Sequence, residues 1–231
     1  FDIHPIAAHA SYLINLAAPD PTLRDRSIAA LTDELDRADA LGLLGVVLHP
    51  GSYTTGTEAD GLRLVTEAID AIFSTRVAGT KLLLEHTAGQ GTNLGHRFEH
   101  LATIIDGASA RDRLGVCLDT CHLLAAGYDI ALEQGYADTF DAFESLIGLD
   151  RLHLLHLNDS KFACGSRRDR HDHIGRGWVG LKTFARLLGD PRLAGLPMVL
   201  ETPKDNRQNP AATTPDPADL RNLQALRDLM G

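Results

Sequence analysis

Three cysteines, one tryptophan and 5 % aromatic residues among 231 positions leave this chain without several common means of stabilisation. Cys117, Cys121 and Cys164 make no disulfide framework, which favours a reducing, cytoplasmic setting. Cys117 and Cys121 have no second cysteine pair with which to complete a structural zinc site. No apolar run approaches the ~20 residues of a membrane span, so no membrane partner is expected. No charged-then-apolar leader follows Phe1, and the absence of an initial Met makes the start read as an internal point of a longer protein. Positive charge is scarce too: 22 Lys and Arg face 31 Asp and Glu, a formal net charge of −9. Taken alone, that argues against a nucleic-acid partner. Two features oppose it: bound divalent ions would offset acidic side chains, and Lys161, Arg167, Arg168, Arg170 and Arg176 gather positive charge in one loop.

The length suits one large α/β domain over residues 1–231, with no internal linker and no repeat. Short apolar runs that read as buried strands alternate with segments of helical period. The strands are expected at 3–9 (with Pro5 clouding its start), 44–48, 81–84, 114–118, 152–157 and 196–200. Between them the 3.6 period predicts helices from Pro21 to the stop at Gly42, then over about 58–75, 96–106, 136–147, 180–189 and 217–229. A polar, Pro-rich loop fills 203–217. Six βα units with nearly continuous apolar strands describe a parallel sheet covered on both faces.

The strands end in His9, His49, Glu85, Asp119, His156 and Glu201. In a barrel of parallel strands these ends share one rim, the rim that carries active sites. Taken singly, each has a plain explanation: a strand-end histidine is usually a hydrogen-bonded structural group, and a strand-end carboxylate usually caps the next helix. Six ligand-type residues at six successive strand ends, with no Ser, Thr or Lys among them, fit capping poorly. Asp119-x-x-His122 and Asp169-x-His171 add to the set. Mixed imidazole and carboxylate suits Zn²⁺ or Mn²⁺ better than the all-oxygen shells of Mg²⁺ or Ca²⁺. Nine ligands exceed what one ion takes, so two or three ions are implied. Ions ~3.5–4 Å apart are a common device of phosphoester hydrolysis. His4, His86, His96, His100, His153 and His173 are read as structural or surface groups, with His153 on the opposite strand face from His156. The loop after His156, about twenty residues without helical or strand period, is long enough in a compact domain to read as functional.

These residues resemble the endonuclease IV family of apurinic/apyrimidinic endonucleases. The resemblance covers nearly the whole chain and is carried by several motifs. They are His9-Ala-Ser-Tyr-Leu-Ile-Asn-Leu16, His49-Pro-Gly-Ser52, Glu85-His-Thr-Ala-Gly-Gln-Gly91, Cys117-Leu-Asp-Thr-Cys-His122 with Ala125-Ala-Gly-Tyr-Asp129, His156-Leu-Asn-Asp-Ser-Lys161, Asp169-Arg-His171 with Gly175-Arg-Gly177, and Leu200-Glu-Thr-Pro203. It implies a TIM (β/α)8 barrel with three zinc ions, Mn²⁺ being admissible at some sites. One ion would lie on His9, His49 and Glu85, a second on Glu85, Asp119, His156 and Glu201, and a third on His122, Asp169 and His171. Glu85 and Glu201 carry over as the catalytic carboxylates, Glu85 bridging two ions together with the attacking hydroxide. The implied reaction is hydrolysis of the phosphodiester 5′ to an abasic site in double-stranded DNA, leaving a 3′-hydroxyl and a 5′-deoxyribose phosphate. Tyr12, Lys161, Arg167 and Arg170 are expected at the DNA, and the protein is expected to be a monomer.

Two departures accompany the resemblance. His86 replaces the family's usual Asn, a change expected to affect how Glu85 is oriented. Six βα units fall two short of a closed barrel, so the first two units are expected to be missing, at ~30 residues each. The rival readings are a metal-dependent sugar isomerase or epimerase on a related barrel, and a DNA-binding remnant without activity. Cleavage of a duplex carrying one abasic analogue, with and without chelator, separates all three.

Overall fold

The computed structural model describes residues 4–76, 79–205 and 214–231. Six strands form one parallel sheet in chain order: β1 (Ala8–His9), β2 (Gly45–Leu48), β3 (Lys81–Glu85), β4 (Leu114–Asp119), β5 (Leu152–His156) and β8 (Met198–Val199). The helices that follow them are α1 (Pro21–Leu41), α2 (Glu58–Phe73), α3 (Phe98–Gly107), α5 (Glu133–Leu146), α6 (Leu181–Gly189) and α7 (Pro217–Asp228). Local chemistry sets these boundaries. Asp20 accepts the N–H groups of Thr22 and Leu23 ahead of α1, and Gly42, at φ 64°, ends it in the left-handed conformation that glycine adopts without strain.

Alternation along the strands divides the core in two. Val46, Leu48, Leu82, Leu84, Val116 and Leu118 face the helices and pack with Leu31, Leu35, Val65, Ile69, Phe98 and Leu101. Val47, Leu83, Cys117 and Leu154 face the inside of the curled sheet and form a small second cluster, with Ala7 against it. Side chains repeat every two residues on a strand. His9, His49, Glu85, Asp119 and His156 each stand two residues beyond one of these inward groups. The inner cluster is the floor of the site.

Several elements differ from expectation. The first strand, expected over 3–9, spans only Ala8–His9; Ile3 lies outside the described residues, and Pro5 has no N–H to donate to a ladder. The last strand shortens to Met198–Val199, with Pro197 removing the donor before it. Part of the 203–217 loop, residues 206–213, lies outside the described residues. A seven-residue helix, α4 (Thr120–Ala126), follows β4 directly and is too short to show a period. The loop after His156 is not free of strand: β6 (Asp159–Ser160) pairs antiparallel with β7 (His171–Asp172).

His153 is also a correction. Val116 pairs with Leu152 but Cys117 with Leu154, so β5 carries one extra residue, and it is His153. The bulge breaks the period of two. The ring packs over Gly115 beside Leu83, toward the inner cluster rather than the helices; a Cβ on Gly115 would lie 2.2 Å from it.

Candidate metal centre

Glu85, wholly buried at the end of β3, is the hub. Its Oε2 lies 2.9 Å from His9 Nε2 and 3.1 Å from His49 Nε2. Its Oε1 lies 2.9 Å from His156 Nδ1 and 3.4 Å from His122 Nδ1. His156 Nδ1 is also 3.1 Å from Glu201 Oε2 and 3.9 Å from Asp119 Oδ2. On the far side, the Asp169 carboxylate meets His122 Nε2 and His171 Nε2, each at 3.2 Å. His171 Nε2 is 3.5 Å from Asp119 Oδ2. All nine side chains singled out in the sequence converge here, and Glu85 and Asp119 link the groups.

The imidazole tautomers test whether the residues fit a cation. His9 Nδ1 donates to the carbonyl of Ala10 at 2.8 Å, His122 Nδ1 to that of His86 at 2.9 Å, and His171 Nδ1 to that of Glu201 at 3.1 Å. A carbonyl only accepts, so each proton sits on Nδ1, and a neutral ring turns the bare Nε2 lone pair toward a carboxylate. Lone pair facing lone pair is repulsive unless a proton or a cation lies between. Among the described residues, Nε2 of His122 and of His171 are both buried without a hydrogen-bond partner. His9, His49 and Glu85 bring ligand atoms within 4.8 Å of one another, as do His122, Asp169 and His171. The donor set fits divalent ions.

Without ions, protons take that place. Burial disfavours charge on Glu85, but His156 and His49, with bonds from His122 and His156, hold its carboxyl well below the usual range. Burial likewise opposes charge on His122, yet Asp119, Asp169 and Glu85 raise it. His171 is pushed up to about 9, burial being outweighed by Asp119 and Asp169. Asp169 moves down, through His122 and His171, against its burial.

Asp119 satisfies both of its sequence readings. Its Oδ1 caps α4 by accepting the His122 N–H at 3.0 Å, while its Oδ2 faces the ligand cluster. Asn158 was not singled out from the sequence, although it stands two residues beyond His156. Its buried side-chain amide donates to Asp119 Oδ2 at 2.6 Å, and its Oδ1 accepts the Glu201 N–H at 2.8 Å. One amide therefore sets two candidate ligands, Asp119 at the end of β4 and Glu201 two residues beyond β8. The signal was present in the motif, but only the fold shows which groups Asn158 joins.

Among the described residues His86 makes no side-chain hydrogen bond to Glu85, whose orientation it was expected to affect. Its ring is buried, its centroid 5.4 Å from that of Phe98 and 5.2 Å from that of Tyr128, and among the described residues neither ring nitrogen has a hydrogen-bond partner. Burial first, then His122 and His96, push it down to about 3. Its backbone carbonyl, rather than its side chain, serves the site. Cys117 and Cys121 lie behind the ligands in separate groups, and burial pushes both thiols up to about 12.

Tyr12 and Leu13 project from the loop after β1, 79 % and 91 % exposed, with the Tyr12 ring 5.7 Å from that of His9. Tyr12, Lys161 and Arg170 line one open cleft of about 390 Å³ with Asp169, His171 and Glu201. Arg167 is exposed nearby but does not line that cleft; its N–H bonds to Ala125 O at 2.9 Å. No helix among the described residues is long and apolar enough to cross a membrane.

Fold and site together define a parallel α/β barrel of the xylose isomerase-like TIM barrel family, whose profile matches residues 2–228. Over 229 residues the chain is 49 % identical to a protein of Chloroflexus aurantiacus named probable endonuclease 4, covering 99 % of this chain and 78 % of the relative. It is similar to the crystal structure of endonuclease IV from Thermus thermophilus, with a TM-score of 0.80 and 37 % identity over 98 % of this chain and 76 % of the other. The chain belongs to the endonuclease IV family. A D-tagatose 3-epimerase-like protein shares the fold, at 19 % identity and a TM-score of 0.69 over 98 % of this chain and 77 % of the other.

Proposed function

We propose that this protein is a zinc-dependent DNA repair endonuclease. It hydrolyses the phosphodiester 5′ to abasic sites in double-stranded DNA and leaves a 3′-hydroxyl and a 5′-deoxyribose phosphate. The observation that carries the reading is the convergence of nine imidazole and carboxylate side chains, Glu85 at their hub, on the rim of a barrel of this family. Three ions would be held by His9, His49 and Glu85; by Glu85, Asp119, His156 and Glu201; and by His122, Asp169 and His171. Bound there, divalent ions supply Lewis acidity to a phosphodiester and lower the pKa of water toward neutrality.

The chain's own groups do the rest. Glu85 turns one oxygen to each of two groups and so fixes their separation. Four carboxylates lie at this point, so bound cations offset part of the −9 charge where a phosphate must approach. Lys161 and Arg170 supply positive charge beside the cleft. Tyr12 and Leu13 form an exposed apolar pair on the same rim, suited to entering a duplex, where unstacking costs least at a position without a base.

The sugar isomerase or epimerase reading has the fold in common, but it leaves the His122, Asp169 and His171 group without a task. The free cysteines accord with a reducing cytoplasm, and we read the protein as a monomer. The strands β1 and β8 each pair on one side only among the described residues, and two further βα units between them would close the barrel. The deciding experiment is incubation with a duplex carrying one tetrahydrofuran abasic analogue. Cleavage at the analogue that chelator stops and zinc restores is expected; no cleavage by the zinc-loaded protein overturns the reading.

A further inference from the structure

Asp159 is a fully buried carboxylate that the chemistry above leaves unused. Among the described residues its partners are all backbone N–H groups. Its Oδ1 accepts Ser160 and Val179 at 2.8 Å each, with Gly180 at 3.4 Å, and its Oδ2 accepts Gly175 at 2.9 Å. Bonds to an ionised acceptor are about twice as strong as neutral ones. A buried carboxylate held only by backbone dipoles therefore fixes those dipoles tightly.

Its place in the chain gives that grip a purpose. The backbone of Asp159 lies in β6 opposite Asp172, and Ser160 lies opposite His171. Lys161 N–H donates to Arg170 O at 3.0 Å, and Trp178 N–H to Ser160 O at 2.8 Å. The chain thus leaves the barrel at Asp159, makes the loop that carries Asp169 and His171, and returns to the same carboxylate at 175–180. Gly177 shows how tightly this is drawn: a Cβ there would lie 2.2 Å from Ser160 O and 2.6 Å from Asp159 Oδ1. This explains Gly177, and Gly175 at φ 76° turns the chain into its bond with Oδ2.

We propose that Asp159 is a positioning residue that closes the base of the 160–180 loop and thereby holds Asp169 and His171 against His122. The inference rests on the metal reading of that group. It assigns Asp159 no contact with substrate or ion. Its action passes through the backbone of β7.

The test uses the full chain and its Asp159→Asn variant, which keeps the volume but turns an amide NH2 toward one set of N–H donors. Zinc affinity is measured by competition with a chromophoric chelator, and hydrogen exchange of residues 166–173 is measured in the metal-free protein. The variant is expected to lose affinity for one ion by 10–100-fold, as when a group supporting a ligand is removed, with the other two unchanged. Exchange across 166–173 should quicken while the sheet stays protected. At saturating zinc, kcat should recover with KM unmoved, which a general loss of structure would not allow. Gly177→Ala, which presses on Ser160 O and on the same carboxylate and so loosens the same loop base, should give the same selective pattern if Asp159→Asn does not fold. Parental exchange and parental affinity for every ion in the folded variant would overturn the proposal, as would equal weakening of all three ions. If exchange quickens but the parent itself holds no third ion, the latch stands and the metal reading of that group fails.

Discussion

His122 Nδ1 donates to the carbonyl oxygen of His86 at 2.9 Å, and that one bond turns the other ring nitrogen toward Asp169. The residue that orients this candidate ligand does so through its backbone, so this bond does not depend on the identity of the buried side chain. His86→Asn is therefore expected to leave the zinc stoichiometry and the affinity for each ion within about threefold of the parent. Loss of an ion would show that the imidazole itself supports the site.

Glu85 faces His9 and His49 with one oxygen and His156 with the other. Glu85→Ala removes a ligand from two groups together, so cleavage of abasic duplex should be abolished while some DNA binding remains. Asp169→Ala empties only one group and should leave two ions bound. Near-normal turnover by Glu85→Ala would refute the shared-carboxylate arrangement.

Asn158 joins Asp119 to Glu201 across the sheet. Asn158→Ala leaves the Glu201 N–H without its acceptor and Asp119 Oδ2 without its amide donor. Metal affinity should fall by roughly 10–100-fold, the usual loss when a partner of a ligand is removed. Isothermal titration with zinc checks this, and an unchanged binding curve would dismiss Asn158 from the site.

Tyr12 and Leu13 are exposed on the rim beside His9. Tyr12→Ala should lower the preference for abasic over intact duplex more than it slows single-turnover cleavage at saturating enzyme. Leu13→Ala should act in the same direction. Affinity ratios equal to the parent's would remove the pair from recognition.

Stability of the metal-free protein should peak near pH 6.5, the ordinary imidazole value. His171 has its pKa raised to about 9, so its contribution is complete below 6.5 and is lost as pH rises through 9. His122 and His156 act in the same sense. His86, lowered to about 3, acts oppositely: it must take a proton on unfolding below 6.5, and stability falls as the solution is acidified. Zinc should reverse the alkaline limb, because protons compete with the ion for the same nitrogens. Calorimetric Tm values across pH 5–9, in chelator and in zinc, decide the matter; slopes of one sign above 6.5 in both would contradict it.

Most of the architecture was legible from local chemistry. The Asp20 cap, the Gly42 stop and the apolar runs of β2 to β5 mark boundaries that contacts within a few residues decide. The shared rim of His9, His49, Glu85, Asp119, His156 and Glu201 follows from parallel strands alone, since every strand must end on the same side. What the tertiary structure decided depends on partners far apart in sequence. The bulge that turns His153 inward is a mismatch between two strands, invisible in either one. Asn158 joins residues 39 and 43 positions away, and His122 takes its tautomer from a carbonyl 36 positions back. Such bonds form only once the sheet has curled and shed water from the rim, where an unpaired polar group is expensive. The kinds of side chain that meet at the rim were therefore readable in the chain, while the proton each one carries and the group that holds it in place belong to the fold.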